Sequence, residues 1–371
     1  MGTQISPAFS KPNFPGDVFH APEGRTLAPA AVGHSVHFYE EDSVLLDNLS
    51  QFLGGTNVRV GAYSRQAEKL HAMSFPTRLF DGPLPALNEI AAAVKKVRDQ
   101  CAEHGDCAGV GIGSPGPIEL PAGILSDPAN LPGWAGLELK TELEKLVALP
   151  VTVDSDANAA ALAEWRLGSG RKFQVQSMAM FTLGTGVGGG LILDGKLWHG
   201  DKGLAAEPGH TVVVPNGIAC NCGSHGCLEK YASASAVSRM ARELASQPGW
   251  EFLLGMADAQ GLIKASVVAQ LALSGKAEAL AIFEQVGETL GRMLAAWVST
   301  LNLPLYTLGG GMALCWDQFA PAMFRALRDC SQTYRLTAPT NTEVFEAGKT
   351  NVLPAQLGAE AGLIGAALLV D

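Results

Sequence analysis

Between Glu207 and Glu229 the chain reads EPGHTVVVPNGIACNCGSHGCLE, a short segment dense in groups that bind metals and polar ligands. His210, Cys220, Cys222 and Cys227 offer one imidazole and three thiolates, the donor set of a closed tetrahedral zinc shell. A catalytic zinc keeps one position for water, so a Cys3His set predicts an ion that holds shape. His225 is an alternative nitrogen ligand, and reduced core cysteines with a turn histidine are the plainer alternative. Glu207 and Glu229 flank the ligands, and an imidazole that gives one nitrogen to a metal keeps the other for a hydrogen bond. Two carboxylates and a ring nitrogen in one pocket can hold vicinal hydroxyls.

A second set of carboxylates sits in VTVDSDANAAALAEWRLG, where a short apolar strand at Val151 to Val153 runs into an Ala-rich helix. Of Asp154, Ser155 and Asp156 at that junction, one caps the helix and another faces the cleft at the strand end, where a carboxylate can act as a general base. That all three merely cap is the alternative. Two glycine turns could cradle phosphate: Gly54, Gly55 and Thr56, for which a plain β-hairpin is the alternative, and Gly184, Thr185 and Gly186. The run that includes Gly310 and Gly311, followed by a helix, lets a flat ligand approach the backbone or simply makes a turn. The G-x-G-x-G-G spacing from Gly184 is followed by another strand and a turn at Asp194 and Gly195, which argues for a β-hairpin against a dinucleotide fold. Asn130, in DPANLPGW, presents an amide either to a polar ligand or to its own turn.

The elements that must position these groups follow from periodicity. Residues 1–48, rich in Pro, Gly, Ala and His, carry no sustained pattern and read as an N-terminal extension. Strand, tight turn and strand are expected from about Leu49 to Ala62, and another strand at Lys69 to Phe75. An amphipathic helix follows from Pro85 to His104, then a buried strand from Cys107 to Ile112 and a rigid SPGP turn. After the cysteine segment, helices are expected at Ala232–Ala245, Ala257–Leu273 and Ala277–Leu301, then a strand at Pro304–Leu308 and an apolar Ala/Gly helix in LGAEAGLIGAALLV. The glycine turns at 54–56 and 184–190 hint at two related halves, with a cleft between them as the natural ligand site.

Composition narrows the function classes. The 371 residues are 47% apolar, enough for two lobes with cores, and the formal charge of −10 without a Lys/Arg cluster disfavours nucleic acid. The other cysteines, at 101, 107, 315 and 330, have no framework spacing, which with reduced ligand thiols points to the cytoplasm. No signal peptide opens the sequence, and the uncharged run from Phe173 to Leu193 is too rich in glycine and polar residues for a membrane span.

The order GGT, SPGP, NLPGW, DAN, LGTGVGGG, EPGH, CNCGSHGCLE, LGGG and AGLIGAALL, from about Gly54 to Leu369, resembles the ROK family, and within it the glucokinases. The resemblance implies an α/β, two-lobed actin-like ATPase (ribonuclease H-like) fold with an interlobe cleft. It places a first lobe at 49–153, a second at 154–356 with the zinc loop, and a C-terminal helix at 357–371 that returns to the first. It implies a hexose kinase using ATP with Mg2+, a structural Zn2+ held by His210, Cys220, Cys222 and Cys227, and a homodimer without nucleic-acid or membrane partners. Asp156 falls on the family's base; Asn130, Ser155, Asp156, Glu207, His210 and Glu229 fall on sugar contacts. Gly54, Gly55, Thr56, Gly184, Thr185 and Gly186 fall on phosphate loops, and Gly310 and Gly311 near adenosine. Two positions depart from the pattern: Phe52 stands where the family has an Asp, and Ser155 where it has an Asn. A sugar-binding protein with impaired turnover, or a kinase for N-acetylated amino sugars or fructose, are the alternatives. A repressor is disfavoured, because residues 1–48 are too short and Pro-rich for a helix-turn-helix domain.

Overall fold

The computed structural model describes residues 42–50, 57–64, 66–76, 82–128, 131, 133–258 and 261–370. Three strands open it: β1 (Asp42–Ser50), β2 (Asn57–Tyr63) and β3 (Lys69–Pro76). Helix α1 (Pro83–Gln100) and strand β4 (Cys107–Ser114) follow, then three two-residue strands, β5 (Ile118–Glu119), β6 (Ile124–Leu125) and β7 (Leu137–Glu138). Helix α2 (Leu139–Val147) leads to β8 (Val151–Ser155), α3 (Asp156–Arg166) and α4 (Ser169–Phe173). A second set starts with β9 (Met178–Leu183), β10 (Val187–Leu193) and β11 (Lys196–Leu197). The helices α5 (Glu229–Ala232), α6 (Ala234–Ala245), α7 (Ala265–Leu273) and α8 (Ala277–Leu301) come next. Strand β12 (Leu305–Gly309), helices α9 (Trp316–Cys330) and α10 (Gln332–Thr337), strand β13 (Asn351–Pro354) and helix α11 (Ala361–Leu368) complete it.

Among the described residues two five-stranded sheets share one plan. The first has the order β3-β2-β1-β4-β8 and the second β11-β10-β9-β12-β13. In each, three consecutive strands form an antiparallel meander, and two later strands add in parallel to the first of the three. The parallel additions need helical crossovers, which α1 and α2 supply in one half and α6–α10 in the other. The glycine run that starts at Gly184 thus links β9 to β10 of one such unit, and the glycine turn expected at 54–56 lies outside the described residues.

The last helix of each half packs on the sheet of the other. Helix α3 follows β8 yet lies on β9 and β10, while α11 follows β13 yet lies on β1, β2 and β4, and the two helices pack against each other. Their apolar faces join a cluster with Met178, Met180 and Ile192, separate from the cores behind each sheet. Glycine allows this contact: a side chain at Gly365 of α11 would strike the Ala159 carbonyl of α3, and one at Gly111 of β4 would strike that of Ala366.

A buried carboxylate fastens the arrangement. Glu164 of α3 is fully buried and accepts hydrogen bonds from the Ser169, Gln356 and Leu357 backbone N–H groups at 3.0, 2.9 and 3.1 Å and from the Ser169 hydroxyl at 2.5 Å. It joins α3 to the start of α4 and to the segment between β13 and α11.

Three expected elements differ. Strand β1 begins at Asp42, inside the segment read as an extension, because VLL at 44–46 pairs with β2 on one side and β4 on the other. The helix expected over Ala257–Leu273 is confined to α7, because Gly261 takes a φ of +74° and the Asp258 carboxylate accepts from the Leu262 N–H in a local turn. The helix expected over Pro85 to His104 ends at Gln100, with a 3-10 turn after it, whereas the helix expected after the glycine run at 309–311 is α9, which holds Pro321 in its interior. No single helix among the described residues is long and apolar enough to cross a membrane, although α7 and α8 pass that test as a bent pair.

Replacing Glu164 by Ala strands one buried N–H donor, that of Ser169, and two part-buried ones, each worth ~1–3 kcal/mol when unpaired in the interior. Urea unfolding followed by circular dichroism should show Glu164→Ala less stable by ~3 kcal/mol or more.

Candidate functional site

The junction of β8 and α3 sorts its three polar residues by role. The Ser155 hydroxyl caps α3, accepting from the Asn158 N–H at 3.0 Å. Asp154, buried in the strand end, accepts from the Ser155 N–H at 2.7 Å and the Asn158 amide at 2.8 Å, and meets His199 Nε2 at 2.6 Å. Asp156 is the first residue of α3 and keeps part of its surface open. Close packing around its carboxyl pushes it up to about 6, against the lowering effect of hydrogen bonds from the Ala157 and Asp156 N–H groups.

Glu207 lies near enough to Asp156 and Glu229 to feel the charge of both. Burial first, then the charges of Asp156 and Glu229, push the Glu207 carboxyl up to about 7, although its side chain retains exposed surface. Glu229 starts α5 and accepts from the Val187 N–H at 3.1 Å, so it reaches across to the β9–β10 turn. A side chain at Gly186 would collide with that carboxylate. The 3-10 turn from Pro208 to His210 lies flat on β10, where a Cβ at Gly209 would strike the Val187 carbonyl and one at Gly189 would come 2.6 Å from the Pro208 ring. The strand therefore fixes the backbone from which Glu207 and His210 project.

His210, Cys220, Cys222 and Cys227 come together with their donor atoms within 4.8 Å of one another. His210 Nδ1 lies 3.7 Å from Cys220 Sγ, and Cys222 Sγ lies 3.6 Å from Cys227 Sγ. A zinc with S and N ligands at ~2.3 and ~2.0 Å has tetrahedral edges near these lengths, so the donor set fits that ion. Nδ1 is the ring nitrogen turned to the cysteines, which leaves Nε2 outside the donor cluster. The loop is closed by bridges pairing Val212 with Cys227 and Ala219 with His225, and the Tyr231 hydroxyl accepts from the Ile218 N–H at 2.9 Å. His225 serves that bridge and is outside the donor cluster.

The glycine turns converge from two strands. Gly309 of β12 is in register with Thr182 of β9, and Gly310, at φ +85°, comes so close to the Leu183 backbone that a side chain would not fit. The Ser235 hydroxyl donates to the Thr185 carbonyl at 2.7 Å and the Ala234 N–H to that of Gly184 at 2.7 Å, fastening the turn to α6. A Cβ at Gly184 or Gly311 would meet nothing within 4 Å, so both backbones face open space. Phe52, Gly54, Gly55, Thr56 and Asn130 lie outside the described residues. Sequence reasoning did not find the Asp154–His199 pair, because its members are 45 residues apart and a single histidine after a strand carries no spacing signal.

Three comparisons with known proteins bear on this site. The family model described as "ROK family" matches residues 52–371. A glucokinase of Halalkalibacterium halodurans is 34% identical, covering 86% of this chain and 93% of that protein. An N-acetylmannosamine kinase of Vibrio vulnificus is 30% identical over 72% of this chain and 84% of its own length. A solved ROK family glucokinase from Streptomyces griseus, in complex with glucose and AMPPNP, superposes with a TM-score of 0.70 at 31% identity, covering 89% of this chain and 98% of that one.

A carboxyl raised on folding favours the proton-bound form, so Asp156 and Glu207 lower stability as pH rises from the ordinary carboxylate range through about 6 and about 7. Asp156→Asn should therefore melt several degrees above wild type at pH 8, and the gap should close towards pH 4 in scanning calorimetry.

Proposed function

The chain belongs to the ROK family, and from that premise we propose that it transfers the γ-phosphoryl group of ATP to the 6-hydroxyl of a hexose, glucose first, with Asp156 as the general base. Its mixed α/β fold is the actin-like ATPase fold of that family, and it is a sugar kinase. What we add is the sugar and the residue roles. The observation that carries them is Asp156 at the head of α3, near enough to Glu207 to act on its carboxyl together with Glu229, which reaches an open glycine turn.

A carboxyl that titrates near 6 is mostly ionised at neutral pH and still basic enough to take a hydroxyl proton. As the hydroxyl oxygen attacks the γ-phosphorus, its proton passes to Asp156, the bond to the β-phosphate oxygen breaks, and ADP leaves. Glu207, Glu229 and His210 Nε2 hold the ring hydroxyls. Glu207, poised at about 7, is shared between its acid and carboxylate forms and so can donate or accept. The turn at Gly184, Thr185 and Gly186 receives the phosphates, and Gly310 and Gly311 line the nucleotide side. Mg2+ bound to ATP supplies charge neutralisation at the phosphates. A zinc in the Cys3His cluster would keep His210 and the loop before Glu229 in place.

Phe52 favours a second reading, a sugar binder with impaired turnover, because an apolar ring cannot coordinate Mg2+ directly or through water. An ADP-release assay with glucose, mannose, fructose, N-acetylglucosamine and N-acetylmannosamine separates the readings. We expect glucose to be turned over best, and Asp156→Ala to lose ~100- to 10,000-fold in kcat. Silence of wild type with every sugar, relieved in Phe52→Asp, would establish the binder instead.

The zinc assignment has its own test. Purified protein should carry about one zinc per chain, as a closed Cys3His site requires. Chelation or Cys220→Ser should lower the melting temperature and raise the KM for sugar more than that for ATP. A metal-free protein with unchanged sugar KM would remove zinc from the account.

A further inference from the structure

The turn that presents Asp156 is tied to the loop that carries Glu207 through one side chain, His199. Asp154 is only 4% exposed. Its Oδ1 accepts from the Ser155 N–H and the Asn158 amide, and its Oδ2 faces His199 Nε2 at 2.6 Å. Ser155 and Asn158 bracket Asp156, and they are bonded to each other by the helix cap. The backbone on both sides of Asp156 is thus built on the Asp154 carboxylate. The His199 carbonyl in turn accepts from the Ala205 N–H at 3.0 Å, two residues before Glu207. The ring of His199 thus meets the residue that supports the start of α3, and its backbone meets the segment that leads to Glu207.

We infer that His199 is a positioning residue of the transfer reaction: through Asp154 it sets the Asp156 carboxylate against the loop that orients the sugar. This rests on the kinase reading given above. The physical reason is the short contact to a buried anion. Protonated, or neutral with the proton on Nε2, the imidazole donates to Oδ2, and without it that oxygen is a buried acceptor with no partner. Its hydrogen bond to Asp154, reinforced by that residue's charge and opposed by burial, raises the imidazole above its ordinary range, so the charged pair holds to higher pH than a free imidazole would and is lost as pH rises through the raised value. A carboxylate freed at Oδ2 can rotate, carrying the Ser155 N–H and the Asn158 amide with it. A misplacement of ~1 Å at a reacting group costs ~100-fold.

The test compares wild type with His199→Ala, His199→Phe, His199→Gln and Asp154→Asn, using glucose and ATP. His199→Ala and His199→Phe should lose ~10- to 100-fold in kcat with the KM for ATP unchanged. His199→Gln, whose amide N–H can reach Oδ2, should recover most of that loss. Combining His199→Phe with Asp154→Asn should cost no more than the worse single change, because both act through one contact. Imidazole NMR should show His199 titrating above ~6.5 in wild type and falling towards it in Asp154→Asn. His199→Phe keeps the ring's bulk and carries the comparison if His199→Ala does not fold. Full kcat in either donor-less variant, no recovery in His199→Gln, or additive losses in the double variant would overturn the inference. Wild type without turnover on glucose overturns the kinase reading first, and the positioning role falls with it.

Discussion

The structure depends on how closely α3 can approach its neighbours. Gly113 of β4 faces the Asp156 backbone, where an added Cβ would lie 3.2 Å from its Cα. Gly188 of β10 faces Ala157, Gly190 of the same strand faces Ala161, and Gly365 of α11 faces Ala159. Each contact pairs a glycine with the small residues of DANAAALA, so the helix is gripped on three sides by backbone. Larger residues on either side would push α3 outward and carry Asp156 away from Glu207 and Glu229. Interiors at crystal-like density do not absorb such shifts, which makes the small-residue composition a condition of the site.

The same helix shows how hydrogen-bond supply decides what a carboxylate does. Glu164 is buried and accepts four hydrogen bonds within the described residues, which leaves it no chemistry to perform. Asp154 has both oxygens engaged and is confined to orienting its neighbours. Asp156 and Glu207 sit where burial and like charge disfavour ionisation, and their raised values are the consequence. The three acids Asp154, Asp156 and Glu164, at the end of β8 and along α3, thus divide into a support, a carboxyl with a raised value and a fastening.

Legibility followed the length scale of the signal. The cysteine cluster was readable because its members lie within one short segment whose spacing is set by tight turns, and the strand-to-helix junction that places Asp156 was readable from an apolar run followed by alanines. The hairpin of β9 and β10 was readable because a strand follows the glycines. The hold of Glu164 on residues 356 and 357, and of Asp154 on His199, was not, since each joins distant segments and leaves no periodicity behind. The false helical start at Ala257 came from composition: alanine and leucine suggested a helix, and the Asp258 turn with Gly261 prevented it. The return of α11 to the first sheet was expected, but from the resemblance to a family more than from periodicity, because an Ala/Gly helix looks alike whichever sheet it covers.

The division of labour between the two halves follows from these attachments. The first half delivers Asp156 from the end of a parallel strand, whose backbone is locked by β4 along its length. The second delivers Glu207 and His210 from a turn laid on β10, held by the Glu207 carbonyl, which accepts from the His210 N–H at 3.2 Å, and by the close fit of Gly209 on Val187. Asp156 and the pair Glu207 and His210 thus start from different sheets, which α3, α11, the Glu164 hydrogen bonds and the His199 contact hold together. Rigid placement within each half with these contacts between them is the arrangement in which a bound sugar, touching both, adds the missing bonds. A ligand that reached only one half would leave the raised carboxyls as they are, so substrate contact with both halves is what would bring Asp156 and the sugar hydroxyl into reacting distance.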